Sequence, residues 1–152
     1  MTLRRCADGK ATALELGQLI GLIHRTAAAA QSRLLTVPGV TISTAPILTY
    51  IAAHPDCTAQ EAADGLAINK GLVSRGLSQL VAAKLVTKRR VAGRVALRLT
   101  QAGASAQQAA DAELTAWWQE QLAASDMKHR KQFARNLAAL AAQLAPEHQI
   151  GQ

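Results

Sequence analysis

Aromatic residues are nearly absent: Trp, Tyr and Phe make up 3% of the 152 residues, although 49% of the chain is hydrophobic. The core must therefore be built from Leu, Val, Ile and Ala, and Ala-rich helices bury only modest area each. That favours a helical protein that gains burial by pairing with a second copy. Cysteine is also scarce. Cys6 and Cys57 are too few for a disulfide framework and match no CxxC spacing. No apolar run is long enough to span a bilayer, and Met1-Thr2-Leu3-Arg4-Arg5 is not followed by an apolar segment of the secretory type. The expectation is a cytoplasmic protein without a membrane partner.

Catalytic signatures are missing too. The chain has no GxSxG, P-loop, dinucleotide fingerprint or HExxH, and its length leaves no room for a separate catalytic domain. His54 and Cys57 have HxxC spacing, but His24, His129 and His148 are scattered and no second paired motif exists. Neither an enzyme nor a metal or other cofactor is expected.

The most informative absence is local. From Gly65 to Ala110 there is no Asp or Glu, while Lys70, Arg75, Lys84, Lys88, Arg89, Arg90, Arg94 and Arg98 fall in that window. The formal net charge is +7 and the sequence pI is about 10.1. Such a field calls for an anionic partner.

Hydrophobic periodicity predicts a long first helix over about 11–35, apolar on more than one face and hence buried on several sides. Val37-Pro38-Gly39 ends it. Thr44 is the expected N-cap of a second helix, with Pro46 in the first turn and His54-Pro55 closing it. Thr58-Ala59-Gln60-Glu61 is a capping box opening a third helix that runs to about Leu66. Asn69 is the expected N-cap of a fourth. Two short helices joined so tightly are a helix-turn-helix candidate.

The fourth helix, INKGLVSRGLSQLV, is poorly stocked with helix formers. Leu72, Val73, Gly76, Leu77, Leu80 and Val81 are expected to form its buried face. Lys70, Gly71, Ser74, Arg75, Ser78 and Gln79 form the opposite stripe, which is short, polar and free of acids. A major groove about 12 Å wide admits such a helix, and its phosphates repel carboxylates. After Leu85 the period changes to that of a β-hairpin with Gly93 in its turn. Val95, Leu97 and Leu99 are expected on a greasy face, with Arg94, Ala96 and Arg98 on a basic one. From Thr100 the chain is helical again, and Ser125-Asp126 is expected to restart a final helix lined by Phe133, Leu137, Leu140 and Leu144. Trp117-Trp118 is read as packing.

The run LTYIAAHPDCTAQEAADGLAINKGLVSRGLSQLVAAKLVTKRR, followed by ALRLTQAG, resembles the MarR family of bacterial transcription regulators. The shared features are the Thr-capped helix, the VSR core, the Arg-rich wing and the LTxxG exit. The likeness covers about residues 44–103. It implies a mainly α fold with a small β-wing: a dimerisation helix and connection over 11–43, a winged helix-turn-helix over 44–100, and dimerisation helices over 101–145. It further implies a homodimeric, ligand-responsive repressor that binds a pseudo-palindromic operator in double-stranded DNA.

Matched position by position, the DNA-binding residues are Asn69, Lys70, Ser74, Arg75 and Ser78 on the recognition helix and Arg89, Arg90, Arg94 and Arg98 on the wing. Thr58 and Gln60 match positions that touch phosphate. The resemblance also implies a small-molecule effector crevice, for which Leu22, His24, Arg25 and Tyr50 are the candidate lining residues. Two departures stand out. The wing is short and lacks the usual Asp that holds its Arg, and Lys84 takes the place of a Gly after the recognition helix. Two other readings stay open: a redox sensor using Cys6, whose neighbours Arg4 and Arg5 favour the thiolate, and a winged-helix adaptor that binds protein instead of DNA.

Overall fold

The computed structural model describes residues 8–125 and 127–144, which hold six helices and one two-stranded sheet. The chain divides into two compact units, Met1–Leu34 and Leu35–Gln152. The first holds α1 (Ala13–Leu34), on which Leu14, Leu16, Ile20 and Ile23 are exposed. Among the described residues no helix is long and apolar enough to cross a membrane.

The second unit runs α2 (Ala45–Ala53), α3 (Ala59–Leu66), α4 (Lys70–Ala82), β1 (Val86–Val91), β2 (Arg94–Leu99), α5 (Gln101–Ala124) and α6 (Arg130–Leu144). Its core is aliphatic, as the shortage of aromatics demands. Ile47, Leu48 and Ile51 from α2 meet Val73, Leu77 and Leu80 from α4, Leu85, Val86 and Leu97 around the sheet, and Ala106 and Ala110 from α5.

Local chemistry sets most boundaries. Thr58 accepts from the Glu61 N–H at 3.2 Å while Glu61 accepts from the Thr58 N–H at 2.6 Å, so the capping box forms. Asn69 caps α4 by accepting from the Gly71 N–H at 2.8 Å. Thr44, however, does not cap α2 with its side chain. Its backbone is already helical, and its buried hydroxyl accepts from the Thr41 N–H at 2.9 Å, so the chain enters α2 through a turn that uses the hydroxyl up. Ser125 likewise ends α5, donating to the Leu122 carbonyl at 2.9 Å, and the last helix begins only at Arg130. Asp126 lies outside the described residues.

On α4 the buried face is narrower than the apolar pattern predicts. Val73, Gly76, Leu77 and Leu80 are buried, but Leu72 and Val81 are exposed. At about 100° per residue these two sit 80–100° from the axis of the stripe, beyond the reach of α2. Gly76 belongs to the packing: a Cβ there would lie 2.7 Å from Ile47 Cδ1, so its absence lets α2 and α4 approach.

The end of α4 settles the Lys84 question. Lys84 is left-handed, with φ 59°, and the Leu85 N–H reaches back to the Leu80 carbonyl at 2.9 Å. This is the geometry of a glycine-terminated helix, imposed on a residue with a Cβ, for which the left-handed region costs roughly 1–2 kcal/mol. Part of that returns as lost chain entropy when glycine is installed. Lys84→Gly is therefore expected to stabilise the fold by about 0.5–1 kcal/mol, read as a rise in the thermal midpoint; a fall would show that the lysine stem contributes more than the strain removes.

β1 and β2 pair antiparallel from Val86↔Leu99 to Val91↔Arg94. Ala92 and Gly93 both have positive φ (49° and 80°), as a two-residue turn of the I′ kind requires. The two faces of the hairpin are less segregated than alternation predicts. Ala96, on the basic side, is buried, and Val95, on the greasy side, is exposed. Asp56 and Cys57 run along the outer edge of β2: the Asp56 N–H donates to Leu97 O at 2.9 Å and the Leu97 N–H to Cys57 O at 2.8 Å.

Candidate nucleic-acid interface

The stripe predicted to face outward does so. Lys70, Gly71, Ser74, Arg75, Ser78 and Gln79 are all exposed on α4. Their polar groups are not equally available. The Asn69 carbonyl oxygen is used in capping, Ser78 donates to the Ser74 carbonyl at 3.0 Å, and Gln60 donates to Asp64 at 2.7 Å. Thr58 is engaged in its capping box. Among the described residues Lys70 and Arg75 have no ion-pair partner, so the charge on this helix is uncommitted.

The wing is organised by a residue that sequence reasoning passed over. Asp56 sits in the turn between α2 and α3 with φ 67°. Its carboxylate takes a two-pronged contact from the Arg98 guanidinium and stands 4.0 Å from Arg89. Its carbonyl accepts from Arg94 Nη2 at 2.8 Å, and Arg94 also pairs with Glu61 at 3.5 Å. The hydrogen bond from Arg98, then the surrounding guanidinium charges, hold the Asp56 carboxyl below its usual range. Glu61 is also lowered, chiefly by the Thr58 N–H. The short wing thus borrows from another loop the carboxylate it lacks. No local sequence signal could reveal this, because the partners lie 38 and 42 positions apart.

Arg94 and Arg98 are consequently tied to the wing's base. Lys88 and Arg90 share the opposite face and have no ion-pair partner among the described residues. Lys88 was not among the expected contacts, yet its two-residue spacing from Arg90 on a strand was the available clue.

The other candidate residues divide between the two units. Leu22, His24 and Arg25 lie on α1 in the first unit, His24 and Arg25 exposed. Tyr50, in the second, stacks on His54 with ring centroids 4.3 Å apart and fills the space that a Cβ on Gly65 would need. Burial pushes the Cys57 thiol up to about 11, which keeps it protonated at neutral pH. Cys6 lies outside the described residues. Among the described residues no three His, Cys, Asp or Glu side chains gather as metal ligands. Trp117 and Trp118 meet edge to face at 4.8 Å.

Residues 39–94, which span the helix-turn-helix and most of the wing, match the model of the MarR family. Among curated proteins none matches by sequence. Solved structures share the fold. A MarR transcriptional regulator from Methanosarcina mazei is 18% identical with a TM-score of 0.80, covering 91% of this chain and 95% of its own. The regulator BldR from Sulfolobus solfataricus is 19% identical with a TM-score of 0.77, over 86% and 94%. A MarR family protein of Mycobacterium tuberculosis, solved in complex with salicylic acid, is 23% identical with a TM-score of 0.67, over 82% and 95%. With an outward-facing α4, a braced β-wing and this match across residues 39–94, the chain has the winged-helix fold of the MarR regulators and resembles that family over its helix-turn-helix.

Proposed function

We propose that the protein is a sequence-specific DNA-binding regulator of transcription, acting as a homodimeric repressor on a pseudo-palindromic operator. One observation carries the reading: an exposed, acid-free α4 face whose Arg75 has no partner among the described residues. Phosphate neutralisation supplies affinity, and a few contacts to base edges supply sequence choice. The uncovered apolar stripes support the dimer. Leu14, Leu16, Ile20 and Ile23 on α1 and Phe133, Leu137, Leu140 and Leu144 on α6 are exposed in a single chain, more apolar surface than a monomer leaves to water without a partner. α1, α5 and α6 are the proposed dimerisation helices.

The salicylic acid complex of the Mycobacterium tuberculosis relative supports a small aromatic acid as effector, with Leu22, His24 and Arg25 of α1 as its proposed contacts. Release follows if such a ligand alters the spacing of the two recognition helices, which must match one duplex turn, about 34 Å.

Selection of bound duplexes from a random library tests the reading. The expected product is an inverted repeat with half-sites about one turn apart, bound with an affinity that falls steeply as salt rises. Failure to enrich any duplex, or binding indifferent to salt, would favour a winged-helix adaptor for protein partners.

A further inference from the structure

We infer that Leu72 is a specificity residue that reads the 5-methyl group of a thymine in each half-site; this rests on the DNA-binding reading. Leu72 stands in the first turn of α4 and is 53% exposed, whereas its neighbour Val73 is fully buried. The core does not use it.

Its position on the helix is the argument. Seven residues make nearly two turns, so Leu72 and Gln79 lie within about 20° of one line along α4, and Arg75 lies about 60° away. Leu72 is therefore the single large apolar group on the side that carries Arg75 and Gln79. No acid lies between Gly65 and Ala110, so α4 itself presents only cationic and neutral groups on this side. That fits a polyanion and disfavours a protein's mixed surface.

The major-groove edge of duplex DNA offers one apolar group, the thymine methyl. Against any other base edge a leucine strips water from polar atoms and replaces none of their hydrogen bonds. It thus rewards thymine and penalises the rest. With a rise of about 1.5 Å per residue, Leu72 and Arg75 are separated by about 4.5 Å along the axis. The thymine is then expected within one or two base pairs of the base that Arg75 contacts.

The test uses a duplex selected by the full-length protein from a random library, with each thymidine of one half-site replaced in turn by deoxyuridine, which lacks only the methyl. Wild type is expected to lose about fourfold in affinity at one position, the value of one buried methyl, and to be indifferent elsewhere. Leu72→Ala, whose thermal midpoint should be unchanged because the side chain is exposed, is expected to bind the thymidine and deoxyuridine duplexes equally. If no position shows the loss, or if Leu72→Ala shows it as fully as wild type, the assignment is overturned while DNA binding stands. If no duplex is selected at all, the DNA-binding reading has failed and this one with it.

Discussion

Gly103→Ala will destabilise the protein by about 3 kcal/mol, the upper part of the range for overpacking a tight contact. Gly103 is buried in the first turn of α5, and a Cβ there would overlap the carbonyl oxygen of Leu85. That carbonyl cannot swing aside. It accepts from the Thr100 N–H at 3.0 Å, while the Thr100 hydroxyl donates to Lys84 O at 2.8 Å and accepts from the Gly103 N–H at 2.9 Å. Thr100 thus caps α5 and clasps the end of α4 at once. A methyl group between them must push the start of α5 away from the Leu85 turn or break the clasp. The gain in helix propensity on leaving glycine, at most about 1 kcal/mol, does not offset it. For a chain of this size the thermal midpoint should fall by roughly 6–12 °C. A midpoint within a degree of wild type would show that α5 can move freely relative to α4.

The Thr and Gly of that junction stand out in the sequence as part of the LTQAG segment, but the reason for the glycine does not. Its neighbour, Leu85, lies in the turn between α4 and β1, and closeness of that kind is set by tertiary packing. The same division holds elsewhere. The capping box at Thr58, the Asn69 cap, the end of α2 before Pro55 and the hairpin turn at Gly93 follow from interactions within four residues, and they were legible.

The edges of helix faces were not. Leu72 and Val81 satisfy the apolar periodicity but fall outside the narrow contact that Gly76 permits between α2 and α4. Thr44 has the composition of a cap, yet the preceding turn takes its hydroxyl. The candidate interface divides in the same way. The outward stripe of α4 could be drawn from a helical wheel, whereas the pairing of the wing's arginines depends on Asp56, which no spacing rule connects to Arg94 or Arg98. Sequence shows where the arginines are and not which of them are already paired.

That distinction yields the larger functional prediction. Arg75→Ala should weaken binding to a selected duplex about five- to 150-fold and relax sequence preference at one position per half-site, the behaviour of a lost base contact worth about 1–3 kcal/mol. Arg94→Ala should weaken it by no more than about fivefold, in line with the small worth of exposed ion pairs. Both guanidiniums are exposed and both carry a full charge, so a count of cations alone would rank them equally. Their surroundings differ. Among the described residues Arg75 meets no carboxylate, so a contact that it makes with DNA would replace only water. Arg94 must give up the Asp56 carbonyl and the Glu61 carboxylate before it can reach a phosphate, and what it gains is reduced by what it leaves. Affinities of the two variants, measured at the same salt on the selected duplex and on its single-base variants, decide the matter. A greater loss for Arg94→Ala would mean that the wing, and not α4, supplies the dominant contact, and that its ties to Asp56 and Glu61 open on DNA.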